Sequence, residues 1–104
     1  MTDRELLEAA AKAAGLTLGA WSDNYGAFMY RGVEPGKSWW NPLTDDGDAL
    51  RLAVKLELQL DLRHSFHTVR VYGAAEGRID ESGDPYAATR RAVVRAAAEI
   101  LEGA

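Results

Sequence analysis

The sequence contains no cysteine, which excludes disulfide bonds, zinc sites built from thiolates and cysteine nucleophiles. It also lacks any apolar stretch approaching the ~20 residues that a membrane-spanning helix needs. Low-complexity tracts are absent, and the hydrophobic fraction of 47% and the charged fraction of 27% are ordinary for a globular protein. We therefore expect the 104 residues to form a single domain, 1–104, around one core.

Positive charge is also scarce. Twelve Lys and Arg residues stand against 16 Asp and Glu residues, so the net charge is −4, and neither half of the chain is basic. Proteins that follow a nucleic-acid backbone usually carry a basic face, so general affinity for nucleic acid is disfavoured. Residues 1–5 are acidic and helical in pattern, unlike the basic start of a signal peptide, which predicts an intracellular protein.

Capping residues and apolar periodicity predict three helices. The first helix is predicted to start at a capping box of Thr2 and Glu5 and to stop at Gly15. The second is predicted to begin near Thr44 or Asp45 and to end near Leu56. The third is predicted to have Asp84 as its N-cap before Pro85 and to stop at Gly103.

The second helix has a wide apolar arc of about 200°. The residues on this arc are Ala49, Leu50, Leu52, Ala53, Val54 and Leu56. A helix with that distribution is covered on more than one side. The sheet would cover one side, and the loop containing Trp39 and Trp40, or a second subunit, would cover the other.

Alternation of apolar and polar residues predicts two hairpins. The first covers residues 16–22 and 26–31, and the second covers residues 57–63 and 66–72, with Leu58, Leu60 and Leu62 facing inward. Residues 78–79 are one more candidate strand. The predicted order is α-β-β-α-β-β-α, an α+β fold with an antiparallel sheet of four strands, or five with residues 78–79, packed by three helices.

Two segments carry a resemblance to a known family. Residues 40–45 read Trp-Asn-Pro-Leu-Thr-Asp at the start of the second helix, and residues 89–97 read Thr-Arg-Arg-Ala-Val-Val-Arg-Ala-Ala in the third. Together with the amphipathic helix that leads the chain, these segments resemble the small bacteriophage proteins of the phage ABA sandwich domain type. The family often has Cys where Val94 stands, and an apolar residue or Pro where Arg90 and Arg91 stand.

The resemblance implies a phage or prophage origin, a location in the cytoplasm of a bacterial host and a sandwich-like fold. In such a fold the first and third helices lie on one face of the sheet and the second helix covers the other. The resemblance implies no activity.

Trp39 and Trp40 are the first candidates for a partner-binding surface. Adjacent side chains on an extended backbone point in opposite directions. One tryptophan is therefore expected to fill the core beside the second helix, and the other to cap the outer face near Trp21 or to remain exposed. An exposed aromatic side chain is typical of a protein interface. Closure of the core is the alternative role.

Arg90 is the third candidate. Its angular position places it within the apolar arc of the third helix, which consists of Tyr86, Val93, Ala97, Ile100 and Leu101. Its guanidinium is expected to reach past the start of the helix, to pair with a carboxylate such as Asp84 or Asp80, or to contact a partner.

Chemistry requiring a metal or a nucleophile has little support. Carboxylates at residues 45–48 are explained by helix capping, although such a cluster also suggests a Ca²⁺ or Mg²⁺ site. Asp61, His64 and His67 recur every three residues around a hairpin, which suggests either a metal site or a solvent-facing turn. The sequence contains no nucleophile elbow and no phosphate-binding loop.

We therefore predict a small accessory protein that is not an enzyme and uses no cofactor. It would act by binding an unidentified host or phage protein, or by self-association, through Trp39, Trp40 and Arg90. One alternative is a nucleic-acid-binding protein that uses Tyr72 and arginines at positions 63, 70, 90, 91 and 95. The other is a metal-dependent enzyme that uses Asp61 and the two histidines.

Overall fold

Helices and three-stranded units alternate along the chain. The structure, a computed structural model, describes residues 1–30, 39–62, 68–72 and 78–102. In chain order the elements are α1 (Asp3–Ala13), β1 (Leu18–Ser22), β2 (Ala27–Tyr30), β3 (Trp39–Trp40), α2 (Asp46–Lys55), β4 (Gln59–Asp61), β5 (Thr68–Tyr72), β6 (Arg78–Ser82) and α3 (Pro85–Glu102). The predicted stop at Gly103 lies outside the described residues.

The strands form two separate antiparallel sheets of three strands each, so the predicted single sheet of four or five strands is wrong. The first sheet has the order β1-β2-β3, with Phe28 opposite Trp40 and Met29 opposite Trp39. The second has the order β4-β5-β6, and β6 pairs with β5 along its whole length. The fold belongs to the broad α+β class.

The two strands that complete these sheets carry little sequence pattern. β3 has only two residues, too few for apolar and polar positions to alternate visibly. β6 contains Ile79 as its one apolar residue and lies at an edge of its sheet, where charged residues are usual. Each of these strands pairs with a strand that the sequence predicted. Residues 78–79 of β6 were predicted as a candidate strand, whereas β3 was not predicted.

α3 packs against α1, α2, β5 and β6. The largest fully buried apolar side chains are Leu7 of α1, Val69 and Val71 of β5, Val93 and Val94 of α3, and Pro42. The predicted arrangement with α2 alone on the opposite face of one shared sheet is therefore wrong, because α2 lies beside α3. Within the described ranges, no helix is long and apolar enough to cross a membrane.

The predicted capping box of α1 is confirmed. The hydroxyl of Thr2 accepts a hydrogen bond from the Glu5 backbone N–H at 3.2 Å, and the Glu5 carboxylate accepts one from the Thr2 N–H at 3.1 Å. The hydrogen bonds from Thr2 lower the pKa of the Glu5 carboxyl below its ordinary value. Asp84 likewise caps α3 by accepting from the Ala87 N–H, as predicted.

α1 and α2 end in the same backbone motif, 42 positions apart. In α1 the N–H groups of Gly15 and Leu16 donate to the carbonyls of Lys12 and Ala11. In α2 the corresponding donors are Glu57 and Leu58, and the acceptors are Val54 and Ala53. Both motifs need one residue with positive φ, which is +71° at Gly15 and +54° at Glu57. The shared motif fixes which positions of the two helices correspond.

The first testable prediction compares these two positions. Gly15→Ala is expected to destabilise the protein by about 1 kcal/mol through backbone strain, because a methyl group at Gly15 would meet no atom within 4 Å. Glu57→Gly relieves that same strain at the other helix and is expected to stabilise the protein by up to about 1 kcal/mol. Urea denaturation followed by circular dichroism measures both changes. If both variants raised the free energy of unfolding, or both lowered it, the proposed equivalence of the two positions would be contradicted.

Candidate functional site

A buried carboxylate joins β3 to α2. The side chain of Asp48 is 1% exposed, and its Oδ2 accepts a hydrogen bond of 2.9 Å from the Asn41 backbone N–H. Its Oδ1 accepts a second bond of 2.9 Å from Nη2 of Arg51, whose side chain is half-exposed. The Asp48 N–H in turn donates to the Asp45 side chain, which caps the helix. The acidic cluster at residues 45–48 is thus engaged in capping and anchoring the helix.

Asn41 extends this network to the first sheet. Its Nδ2 donates to the Gly26 carbonyl, just before β2, and its Oδ1 accepts from the Leu43 N–H at 2.8 Å. The segment that opens α2 is therefore held from both sides, by the turn of the first hairpin and by the helix that follows.

Arg90 ties α3 to the same segment. Its Nε donates to the Leu43 carbonyl at 2.9 Å, and its Nη1 donates to Oδ1 of Asp46 at 2.6 Å. The carboxylate was predicted as Asp84 or Asp80, and that part of the prediction is wrong. The side chain of Arg90 is 19% exposed. The two segments that carry the family resemblance thus meet through one arginine.

Trp39 and Trp40 point to opposite sides of the first sheet, as predicted. Trp40 is buried in the core at 3% exposure. Trp39 is half-buried and stacks on Tyr25, with ring centroids 4.5 Å apart. Trp21, the predicted neighbour of the outer tryptophan, instead packs edge-on against Phe28. The three candidate residues therefore have different environments.

A groove of about 530 Å³ lies between α2, α3 and the region around β4. Buried Ala53 and Val93 line it, together with three exposed side chains: Leu50 at 64%, Leu62 at 47% and Tyr86 at 69%. Leu62 was predicted to face the core, and Tyr86 was assigned to the core arc of its helix. Both assignments are wrong, because no described element covers the outer side of the groove.

An ion pair between Arg90 and Asp46 lies at the edge of the groove, and both residues line it. Arg90 is thus the one candidate from the sequence that the structure places at an open apolar surface. The wide apolar arc of the second helix was the sequence signal for this surface, since Leu50 and Val54 belong to that arc and remain exposed.

Of the three residues in the candidate metal site, the structure describes only Asp61. Asp61 ends β4 opposite Arg70, whereas His64 and His67 lie outside the described residues. Among the residues that the structure does describe, no group of three or more His, Asp or Glu side chains could hold a metal ion.

The described arginines of the nucleic-acid hypothesis each face a carboxylate. Arg63 lies outside the described residues, and Tyr72 is half-buried at the end of β5. The pairs are Arg70 with Asp80, Arg90 with Asp46, Arg91 with Asp3, and Arg95 with Glu81. These pairs neutralise the positive charge that a phosphate backbone would require.

No protein-family model, no curated protein and no solved structure matches this chain.

The Asp48 network gives the second testable prediction. Asp48→Ala is expected to destabilise the protein by about 2–3 kcal/mol, because it leaves the Asn41 N–H without its acceptor and Arg51 without its buried partner. Asp48→Asn keeps an acceptor and is expected to cost about 1 kcal/mol. Asp45→Ala, which removes the helix cap and a half-exposed 3.8 Å ion pair with Arg51 but no buried group, serves as the control at about 1 kcal/mol. Chemical denaturation measures the free energy of unfolding of all three variants. If Asp48→Ala loses no more stability than the Asp45→Ala control, the anchoring role of Asp48 is contradicted.

Proposed function

We propose that this chain is a small accessory protein that acts by binding another protein and carries out no catalysis. The groove between α2 and α3 is its binding surface, and the ligand is a set of apolar side chains on a protein partner. The observation that supports this proposal is the group of three exposed apolar side chains, Leu50, Leu62 and Tyr86, around one groove. Large exposed apolar side chains that cluster in this way are typical of interaction sites.

The apolar area of this surface sets an upper limit on the strength of the complex. Covering the exposed parts of Leu50, Leu62 and Tyr86 contributes about 1–2 kcal/mol each, and the partner's own side chains contribute a similar amount. The sum, about 6–12 kcal/mol, is comparable with the cost of association, about 4–15 kcal/mol. We therefore expect micromolar or weaker binding, dependent on concentration.

The proposal includes a phage or prophage gene as the source and the cytoplasm of a bacterial host as the location. The resemblance of residues 40–45 and 89–97 to phage ABA sandwich proteins supports this source. In this chain Asn41 of the first segment contacts Asp48, and Arg90 of the second contacts Asp46. Residues in these two segments therefore stabilise the fold beside the groove.

The third testable prediction concerns the groove in the living cell. A photo-crosslinking amino acid at position 50 or 86 is expected to form a discrete covalent adduct with another protein chain, which mass spectrometry then identifies. The control carries the same group at position 8, on the exposed side of α1. A further substitution, Leu62→Glu, places a charge in the groove and is expected to abolish the adducts at positions 50 and 86.

Two results would contradict the proposed function. One is the absence of any adduct at positions 50 and 86, and the other is an equal yield from position 8. Circular dichroism of the purified variants verifies that each substituted protein has the fold of the parent.

A further inference from the structure

We propose that the protein partner at this groove is a second copy of the same chain, bound about a two-fold axis. This inference rests on the proposed function, since it names the partner of the same surface. The contact would be formed by Leu50 and Val54 of α2 in one copy and by the groove beside α2 in the other.

The first observation is an internal comparison within the chain. The shared end motif of α1 and α2 makes Glu8 equivalent to Leu50 and Lys12 equivalent to Val54, 42 positions apart. Four equivalent positions are buried in both helices, although Ala9 is buried in α1 and its equivalent in α2, Arg51, is half-exposed. The equivalent pairs that are buried in both are Leu6 with Asp48, Leu7 with Ala49, Ala10 with Leu52 and Ala11 with Ala53. The two helices therefore turn the same side toward the core.

On the outward side the two helices differ in chemistry. α1 carries charged Glu8 and Lys12 there, as a solvent-facing surface normally does. α2 carries Leu50 and Val54 at the equivalent positions, and these side chains are 64% and 69% exposed. Because α1 shows that such a helix accommodates charged residues at these positions, the fold alone does not explain apolar residues on α2. Contact with a partner does.

The second observation is that α2 carries two features side by side. One is the pair of exposed side chains of Leu50 and Val54, here called the projecting pair, and the other is a wall of the groove. Leu50 and Val54 are four residues apart and so lie on the same side of α2, where Leu50 also forms one wall of the groove. A two-fold axis beside α2 would bring the projecting pair of each copy to the groove of the other. A surface that carries both halves of a contact side by side is self-complementary under this symmetry.

Charge is the third consideration. Two copies that each carry a net charge of −4 repel one another, so a contact between them requires a surface without unpaired negative charge. The described lining of the groove meets this requirement, because the charged residues in it, Asp46 and Arg90, are paired at 2.6 Å. The exposed apolar residues beside them add no charge.

The size of the surface sets the expected strength of the dimer. α2 has ten residues and is about 15 Å long, and two helices side by side span about 20 Å, so the projected face is roughly 300 Å². A standard interface covers about a tenth of a small protein's surface, and the accessible surface here is 6486 Å². The face is less than half of that tenth and so lies below the size of a standard interface, which predicts a weak dimer that forms only at high protein concentration.

The experiment transfers the outward residues of α1 to α2. The double variant Leu50→Glu with Val54→Lys leaves the net charge unchanged and places a favourable Glu–Lys pair four residues apart. The matched control exchanges the charges on α1, by Glu8→Lys with Lys12→Glu, and also keeps the net charge. Sedimentation velocity across a concentration series, from about 1 μM to about 1 mM, measures self-association of the unchanged protein and both variants.

The unchanged protein and the α1 control are expected to shift from monomer to dimer with rising concentration. The α2 variant is expected to dimerise at least about 100-fold more weakly, with an unchanged circular dichroism spectrum. If the double variant fails to fold, Val54→Lys alone, at an exposed position, provides the test. Raising the salt concentration from about 20 mM to about 500 mM is expected to leave the dimer unchanged or to strengthen it, because repulsion is screened.

Three results would overturn the inference: a monomer at every concentration, a dimer that the α2 variant forms equally well, or a dimer that dissociates as salt rises. Failure here is distinguishable from failure of the proposed function. A monomeric protein whose position 50 still crosslinks to a different, identified protein would exclude the second copy and retain the function. The loss of all adducts would contradict both.

Discussion

A carboxylate removed from water is stable only where hydrogen bonds replace the solvent that it has lost. Asp48 meets this condition with the Asn41 N–H and the Arg51 guanidinium, and each of these contacts fixes a different part of the chain. The bond to Asn41 sets the path from β3 into α2. Because the Asn41 side chain also binds the Gly26 carbonyl, the first hairpin is held by the same network. The same network fixes the start of the helix that forms one wall of the groove, since Asp46 and Ala49 of α2 line it.

The three helices were predictable because their signals are local. Thr2 with Glu5, Asp45, and Asp84 before Pro85 each satisfy backbone groups within one turn, and the structure has each of them in that role. The division into two sheets was not predictable in the same way. β3 is a strand because β2 is available to pair with it, and pairing between distant segments leaves no pattern on two residues. β6 was predicted only as a candidate at residues 78–79, and its polar residues do not indicate which sheet it joins.

The sequence predicted that α2 has a second covered side, but it did not predict which residues form the groove. The wide apolar arc of α2 indicated a second covered side, and Leu50 and Val54 are the part of that arc left exposed. The exposure of Tyr86 could not be derived, because it depends on where the first turn of α3 lies relative to α2. The environment of Arg90 was partly derivable. A guanidinium within an apolar arc needs a carboxylate, but only the tertiary fold determines that this is Asp46.

The central position of α3 has a consequence for the order in which the molecule can form. α1, α2, β5 and β6 all precede α3 in the chain, and all of them pack against it. Val93 and Val94, which are fully buried in the core, are synthesised after all four of these elements. The alanine-rich face of α1 is therefore buried by a helix that lies far along the chain. The residues of the Asp3–Arg91 ion pair, for example, are 88 positions apart. Contacts of such long sequence separation are slow to form, and isolated helices of ten or eleven residues are only marginally stable in water. α1 and α2 therefore depend for their stability on a helix that follows them in the chain.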